Sequence, residues 1–253
     1  MVDNVFARDA LRRCILFSRL DAPAVDACLA HVQVRRYRRN ETVFHQGDPG
    51  GALHVIASGS VKVVLPSPDG SSPMILSTLG AGQFFGELAL LDGEPHSATV
   101  VALEPTEALV LDRGGFDELL ETQPGFGRAM LSGLVRGFRR LTEHVEALVY
   151  LELPERLAAR IAELAVSARE ADGINAEGDG GGAAGDSGGA APGGVEVRLD
   201  WPYTQSELAG MVGGSRESVN RILADFAARG LLHFERDTLV VPDPGRLTAE
   251  ARG

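Results

Sequence analysis

Between Arg35 and Arg113 the sequence falls into short apolar runs cut apart by glycine-rich turns, and this texture sets the fold class. The runs are Thr42–Phe44, Leu53–Ala57, Val61–Leu65, Met74–Leu79, Thr99–Leu103 and Ala108–Leu111. Between them stand Gly47-Asp48-Pro49-Gly50-Gly51, Ser58-Gly59-Ser60, Pro68-Asp69-Gly70 and Gly80-Ala81-Gly82. Glycine and Asp-Gly pairs supply the left-handed backbone that tight hairpins need. The spacing predicts an antiparallel barrel or roll.

Helices are expected on both sides of this segment. Residues 1–34 read as helical, because Leu11, Ile15, Leu16, Leu20, Val25, Leu29 and Val32 recur mostly at three- to five-residue steps. A short helix is expected at 113–122, and Pro124 opens a long one. Along the long helix Leu131, Leu134, Phe138, Leu141, Val145 and Leu148 step by 3, 4, 3, 4 and 3. A seam this narrow, flanked by Arg136, Arg139, Arg140, Glu143 and Glu146, is the pattern of a coiled-coil partner helix and predicts a homodimer. Leu153-Pro154 ends or kinks that helix. A further helix follows, with Leu157, Ile161, Leu164 and Ala165 on one face.

Residues 173–194 contain ten glycines in 22 positions and read as a flexible, low-complexity spacer. Beyond it Val195–Leu199 alternates like a strand. Thr204 and Glu207 have the spacing of a capping box at a helix start. Gly213-Gly214 makes a turn, Ser215 caps a second helix, and Gly230 ends it. Two strands, about Leu232–Glu235 and Thr238–Val241, follow with Arg236-Asp237 between them.

Composition removes several function classes. The chain has 253 residues, a net charge of −11 and 44% apolar residues, enough for packed cores. No apolar run approaches the ~18–20 residues of a membrane span, and Met1–Ala10 carries no apolar signal core, so the expected location is the cytoplasm. Cys14 and Cys28 are too few for a disulfide framework or a four-thiolate cluster and read as small buried hydrophobes. His31, His45, His54, His96, His144 and His233 show no zinc-ligand spacing, and no axial haem ligand is evident. No nucleophile–base set or G-x-G-x-x-G loop emerges, so neither an enzyme nor a bound metal is expected.

Helix, three-residue turn, helix and hairpin outline a winged helix-turn-helix. The second helix opens Ser215-Arg216-Glu217-Ser218 and continues Asn220-Arg221. Its first turns are what such a helix presents to base edges in the major groove. Arginine forks onto guanine O6 and N7, and glutamate accepts from cytosine N4. The competing reading is a surface ion pair between Glu217 and Arg221, worth a few tenths of a kcal/mol. Residues 201–236 carry four arginines and four acids, so a basic face there requires the arginines to cluster.

On these motifs the chain resembles the cyclic-AMP receptor (catabolite activator, CRP/FNR) family of bacterial transcription regulators over nearly its whole length. Phe85–Ala102, FGELALLDGEPHSATVVA, resembles the family's phosphate-binding cassette, and Thr204–Phe226, TQSELAGMVGGSRESVNRILADF, its helix-turn-helix signature. The resemblance implies an α+β chain: an N-terminal antiparallel β-roll of the cyclic-nucleotide-binding type, a long dimerisation helix and a C-terminal winged helix-turn-helix. The corresponding spans are 1–123, 124–153 with the hinge, and 154–253, which includes the loop at 173–194. It implies that Arg216, Glu217 and Arg221 read bases while Thr204 and Ser215 hold the DNA backbone. It also implies that Gly86 lets the chain approach a nucleotide, that N–H groups from Glu87 and Leu88 onward meet its phosphate, that Glu87 accepts from the ribose and Ser97 donates to a phosphate oxygen. Thr142 falls where the family places an adenine contact at the dimer interface.

The departures are as informative. His96 stands where the family has arginine, and losing a charge-assisted bond to phosphate costs roughly 1.5–3 kcal/mol. Leu141 replaces a frequent threonine, and Glu152 replaces the usual aspartate after the hinge. The glycine-rich loop falls where relatives have a short loop that can contact RNA polymerase, a partner that the resemblance implies. The expected function is a homodimeric, sequence-specific regulator of double-stranded DNA with cyclic AMP as effector and no covalent cofactor. The alternatives are a family member that binds DNA without cyclic AMP or answers to another ligand such as cyclic di-GMP, and a regulatory nucleotide-binding module that does not bind DNA.

Overall fold

A computed structural model describes residues 4–18, 20–67, 73–176 and 196–251. The chain divides into two compact units, Met1–Val145 and Glu146–Gly253.

The first unit opens with α1 (Asn4–Arg13) and α2 (Ala22–Leu29), the latter capped by Asp21, whose carboxylate accepts from the Ala24 amide at 2.9 Å. Eight strands follow: β1 (Val32–Tyr37), β2 (Thr42–Phe44), β3 (Ala52–Ser58), β4 (Ser60–Leu65), β5 (Met74–Gly80), β6 (Phe84–Phe85), β7 (Thr99–Ala102) and β8 (Thr106–Asp112). A six-residue helix, α3 (Glu87–Asp92), sits between β6 and β7. The strands form two antiparallel sheets, ordered β1-β8-β3-β6 and β2-β7-β4-β5. This is the roll that the glycine-punctuated runs predict.

Strand β3 shows why it holds together. Successive side chains point to opposite faces. Leu53, Val55 and Ala57 therefore join the core under the helices, whereas Ile56 packs inside the roll with Val61, Leu79, Phe85 and Val100. The helix-side core closes with α4 (Arg113–Thr122) and the start of α5 (Pro124–Tyr150). There Phe126 meets Phe17 and Phe116, with ring centroids at 5.4 and 5.7 Å. Cys14 and Cys28 are buried, and burial pushes both thiols up to about 11, so they pack as inert hydrophobes.

The second unit consists of α6 (Leu153–Ala176), β9 (Val197–Asp200), α7 (Gln205–Val212), α8 (Arg216–Ala228), β10 (His233–Glu235), β11 (Thr238–Val241) and α9 (Pro244–Glu250). The strands pair antiparallel in the order β10-β11-β9. Leu157, Ile161 and Ala165 of α6 are fully buried, Leu164 only partly.

Three expectations need correction. Residues 1–34 are not helical throughout: Val32 begins β1, paired from Val32↔Leu111 to Tyr37↔Thr106. As an edge strand β1 exposes half of its side chains, including the adjacent Arg35 and Arg36, and so carries little apolar signal. Strand β6 and helix α3 are too short to register as periodicity. Residues 173–176 of the expected spacer belong to α6, which continues to Ala176; the remainder, like the Pro68-Asp69-Gly70 turn, lies outside the described residues.

Candidate functional site

A cavity of about 760 Å³ opens in the first unit between the roll and α5. Gly86, Glu87, Leu88, His96 and Ser97, all expected at a ligand site, line it. Gly86 joins β6 to α3 with φ +86°; a Cβ there would lie 2.9 Å from the Ala52 carbonyl oxygen, so the chain can pass only as glycine. Leu88 and Ser97 are exposed at the wall. Thr142 is not part of the wall; its hydroxyl donates to the Phe138 carbonyl at 3.0 Å.

The inner wall is aromatic and uncharged. The His96 side chain is buried and stacks on Phe44, while His54 stacks on Phe85 at 4.9 Å. Burial lowers both imidazoles from their ordinary value, His54 to about 4, so both are neutral at pH 7. His54 Nδ1 has no hydrogen bond of good geometry, although the Ala52 carbonyl exerts a weak upward pull on the ring. The main chain of His96 is tied on both sides, its N–H donating to Asp48 O and its C=O accepting from Gly47 N, both at 2.9 Å. Glu87 is the one carboxylate of the wall; burial pushes it up, against its own backbone N–H and the Arg140 guanidinium.

Sequence reasoning expected Thr142 from the α5 side and missed the arginines of that side. Helix α5 brings Arg136 and Arg140 to the cavity, and it approaches the roll at Gly133, where a Cβ would lie 2.6 Å from the Phe84 ring. The available signal was the i, i+4 pair of arginines beside the seam, which reads from sequence only as a solvated flank.

The expected seam is packed unevenly. Leu131, Phe138, Leu141 and Val145 are exposed, as a partner-facing stripe requires, although Phe138 and Leu141 also border the cavity, whereas Leu134 is half-buried against the helix-side core. Leu148 is half-buried, with a methyl 2.9 Å from where a Gly213 Cβ would stand. Val135, Thr142 and Val149 are exposed as well, which widens the apolar stripe beyond the expected seam. Spacing alone does not separate Leu134 from Leu141, so only the packing of α5 decides that the first is half-buried and the second exposed.

In the second unit the helix-turn-helix forms as its caps predict. Thr204 and Glu207 make a reciprocal capping box, Gly213 turns the chain at φ +64°, and Ser215 accepts from the Ser218 amide at 3.1 Å. The hydroxyls of Thr204 and Ser215 also donate locally, to Glu207 and Ser218, so the contacts to DNA backbone expected of them would need those bonds to open. Arg216, Glu217 and Arg221 are exposed, and among the described residues none of them makes a hydrogen bond or ion pair. The Glu217–Arg221 surface pair does not form. Meanwhile Arg229 is held by Asp225 and Glu250, and Glu235 by Arg198. Glu207, Asp225 and Glu235 of this neutral segment are thus engaged in other contacts, and Glu217 is the acid that stands beside Arg216 and Arg221 at the start of α8.

Residues 34–123 match the model of the cyclic nucleotide-binding domain, and residues 155–250 that of the Crp-like helix-turn-helix domain. The chain is 30% identical over 244 residues to a CRP-like cAMP-activated global transcriptional regulator of Mycobacterium tuberculosis, covering 96% of this chain and 99% of that one. It belongs to the CRP/FNR family of transcriptional regulators. Another relative of this CRP/FNR chain, the cAMP-activated global transcriptional regulator CRP of Salmonella typhimurium, is 29% identical over 87% of this chain and 94% of its own. Among solved structures, the c-di-GMP responsive global regulator CLP of Xanthomonas campestris superposes with a TM-score of 0.67 at 26% identity, over 87% of this chain and 99% of that one. The CRP/FNR chain has no cluster of metal-ligating side chains and no helix long and apolar enough to cross a membrane, among the described residues.

Proposed function

We propose that the chain is a homodimeric, sequence-specific DNA-binding regulator whose DNA affinity is set by a cyclic nucleotide, cyclic AMP first, bound between roll and α5. The observation that carries the DNA reading is the uncommitted trio Arg216, Glu217 and Arg221 at the start of α8. Side chains left without intramolecular partners lose little on meeting base edges. The cavity's size, its glycine-lined entry and its mixture of aromatic and polar groups fit a small phosphorylated ligand.

In this reading residues 1–123 sense the effector, 124–153 couple two subunits, and 154–253 bind DNA. The exposed stripe on α5 pairs the subunits, and Thr142 enters the ligand site only when two α5 helices pair. Ligand held by Gly86, Glu87, Leu88 and Ser97 favours the arrangement in which both α8 helices meet major grooves about 34 Å apart. The protein acts in the cytoplasm, catalyses no reaction, and works on transcription through RNA polymerase.

A second reading is favoured by one observation. His96 gives the roll side no positive charge, and a structural relative answers to cyclic di-GMP; that ligand is therefore the alternative effector.

Fluorescence anisotropy on a labelled pseudo-palindromic operator, with and without cyclic AMP, cyclic GMP and cyclic di-GMP, tests both. The nucleotide that tightens operator binding is the effector. Arg216→Ala is expected to cost about 1–3 kcal/mol of specific binding while leaving the solution mass unchanged. Unchanged operator affinity in Arg216→Ala would refute the assignment of α8, and indifference to all three nucleotides would refute effector control by them.

A further inference from the structure

We propose that Arg136 and Arg140 of α5 form the anion clamp of the cavity, gripping the phosphate of its ligand from the helix side rather than from the roll. The proposal rests on the reading of the cavity as a cyclic-nucleotide site and assigns the source of its positive charge. Three guanidiniums reach the wall, from Arg13, Arg136 and Arg140, against the single carboxylate of Glu87. Arg13 is committed, donating to the Ala57 carbonyl at 3.2 Å. Arg136 and Arg140 lie one helical turn apart and, among the described residues, make no hydrogen bond or ion pair.

The roll offers no substitute. Position 96 carries an imidazole buried against Phe44 and tied through its main chain, and it is neutral at pH 7. Ser97 offers a neutral hydroxyl. Among the described residues of the wall, a phosphate therefore finds cationic forks without a hydrogen bond to the protein only on α5, and guanidinium forks bind phosphate oxygens in pairs. Glu87, half-buried and within the field of Arg140, is left to accept from ligand hydroxyls. The clamp also deepens the proposed coupling: the ligand's charge binds directly to the helix that carries the exposed apolar stripe.

Both arginines are exposed, so their replacement leaves the cores intact. Calorimetry of the full chain with cyclic AMP compares wild type, the double variant Arg136→Gln/Arg140→Gln and Ser97→Ala. The double variant is expected to lose about tenfold to a hundredfold in affinity and most of the dependence on salt, whereas Ser97→Ala loses less than about tenfold. A double variant within about twofold of wild type, or a loss confined to Ser97→Ala, overturns the clamp. If wild type binds none of cyclic AMP, cyclic GMP and cyclic di-GMP, the effector reading falls and inorganic pyrophosphate decides the clamp. A rise in Tm with pyrophosphate that the double variant lacks supports it; an equal rise, or none in either protein, overturns it.

Discussion

The imidazole of His96 lies flat against the ring of Phe44, with centroids 3.5 Å apart and planes 3° from parallel. The residue that departs from the family's arginine is thus a wall element of the roll, with its ring held by packing. Truncating Phe44 removes that support. Phe44→Ala is expected to cost about 1–3 kcal/mol in urea denaturation, in proportion to the area lost. Its His96 should titrate closer to 6.5, followed by NMR, than the lowered value of wild type.

His54 links stability to pH. Burial, then His96 and Arg35, hold its pKa at about 4 against an ordinary 6.5. In the unfolded chain the ring takes its proton near 6.5, so between 6.5 and 4 the unfolded state binds more protons and stability falls as pH falls. The contribution lost by pH 4 is roughly 3 kcal/mol. Urea melts of wild type and His54→Phe at pH 7.5 and 4.5 read it: the acid loss should shrink in the variant, and equal losses would remove His54 as the cause.

The two faces of α5 predict opposite phenotypes. Phe138→Glu places a charge on the exposed stripe and is expected to halve the solution mass by sedimentation while leaving the fold intact. Leu134→Ala, half-buried against the helix-side core, is expected to destabilise each chain by about 1–3 kcal/mol without acting on the stripe.

Gly213 has no room for another side chain. Its φ of +64° and the Leu148 methyl at 2.9 Å from a would-be Cβ predict a loss of about 1–3 kcal/mol in Gly213→Ala. The measurable consequence is weaker operator binding alongside a lower melting temperature, with Gly230→Ala, in open space though also at positive φ, as the milder comparison.

Much of this was written locally in the chain. The roll was legible because hairpin turns demand glycine at particular places, and the helix-turn-helix because Thr204, Glu207, Gly213 and Ser215 are cap and turn residues acting on their immediate neighbours. The edge strand β1 escaped, since its exposed side chains, Gln33, Arg35 and Arg36, do not alternate cleanly with buried ones.

The sequence by itself determined the order of elements, the turn that joins α7 to α8 and the identity of the side chains at the tip of α8. Only the tertiary structure decided that Leu134 of the seam packs against the helix-side core, that Arg136 and Arg140 face the cavity, and that His96 is a packed ring. The reason is physical. Caps, turns and periodicity are interactions over a few residues, whereas the direction a helix face takes is set by what packs against it, here Phe84 over Gly133 and the core around Leu134, from segments far away along the chain.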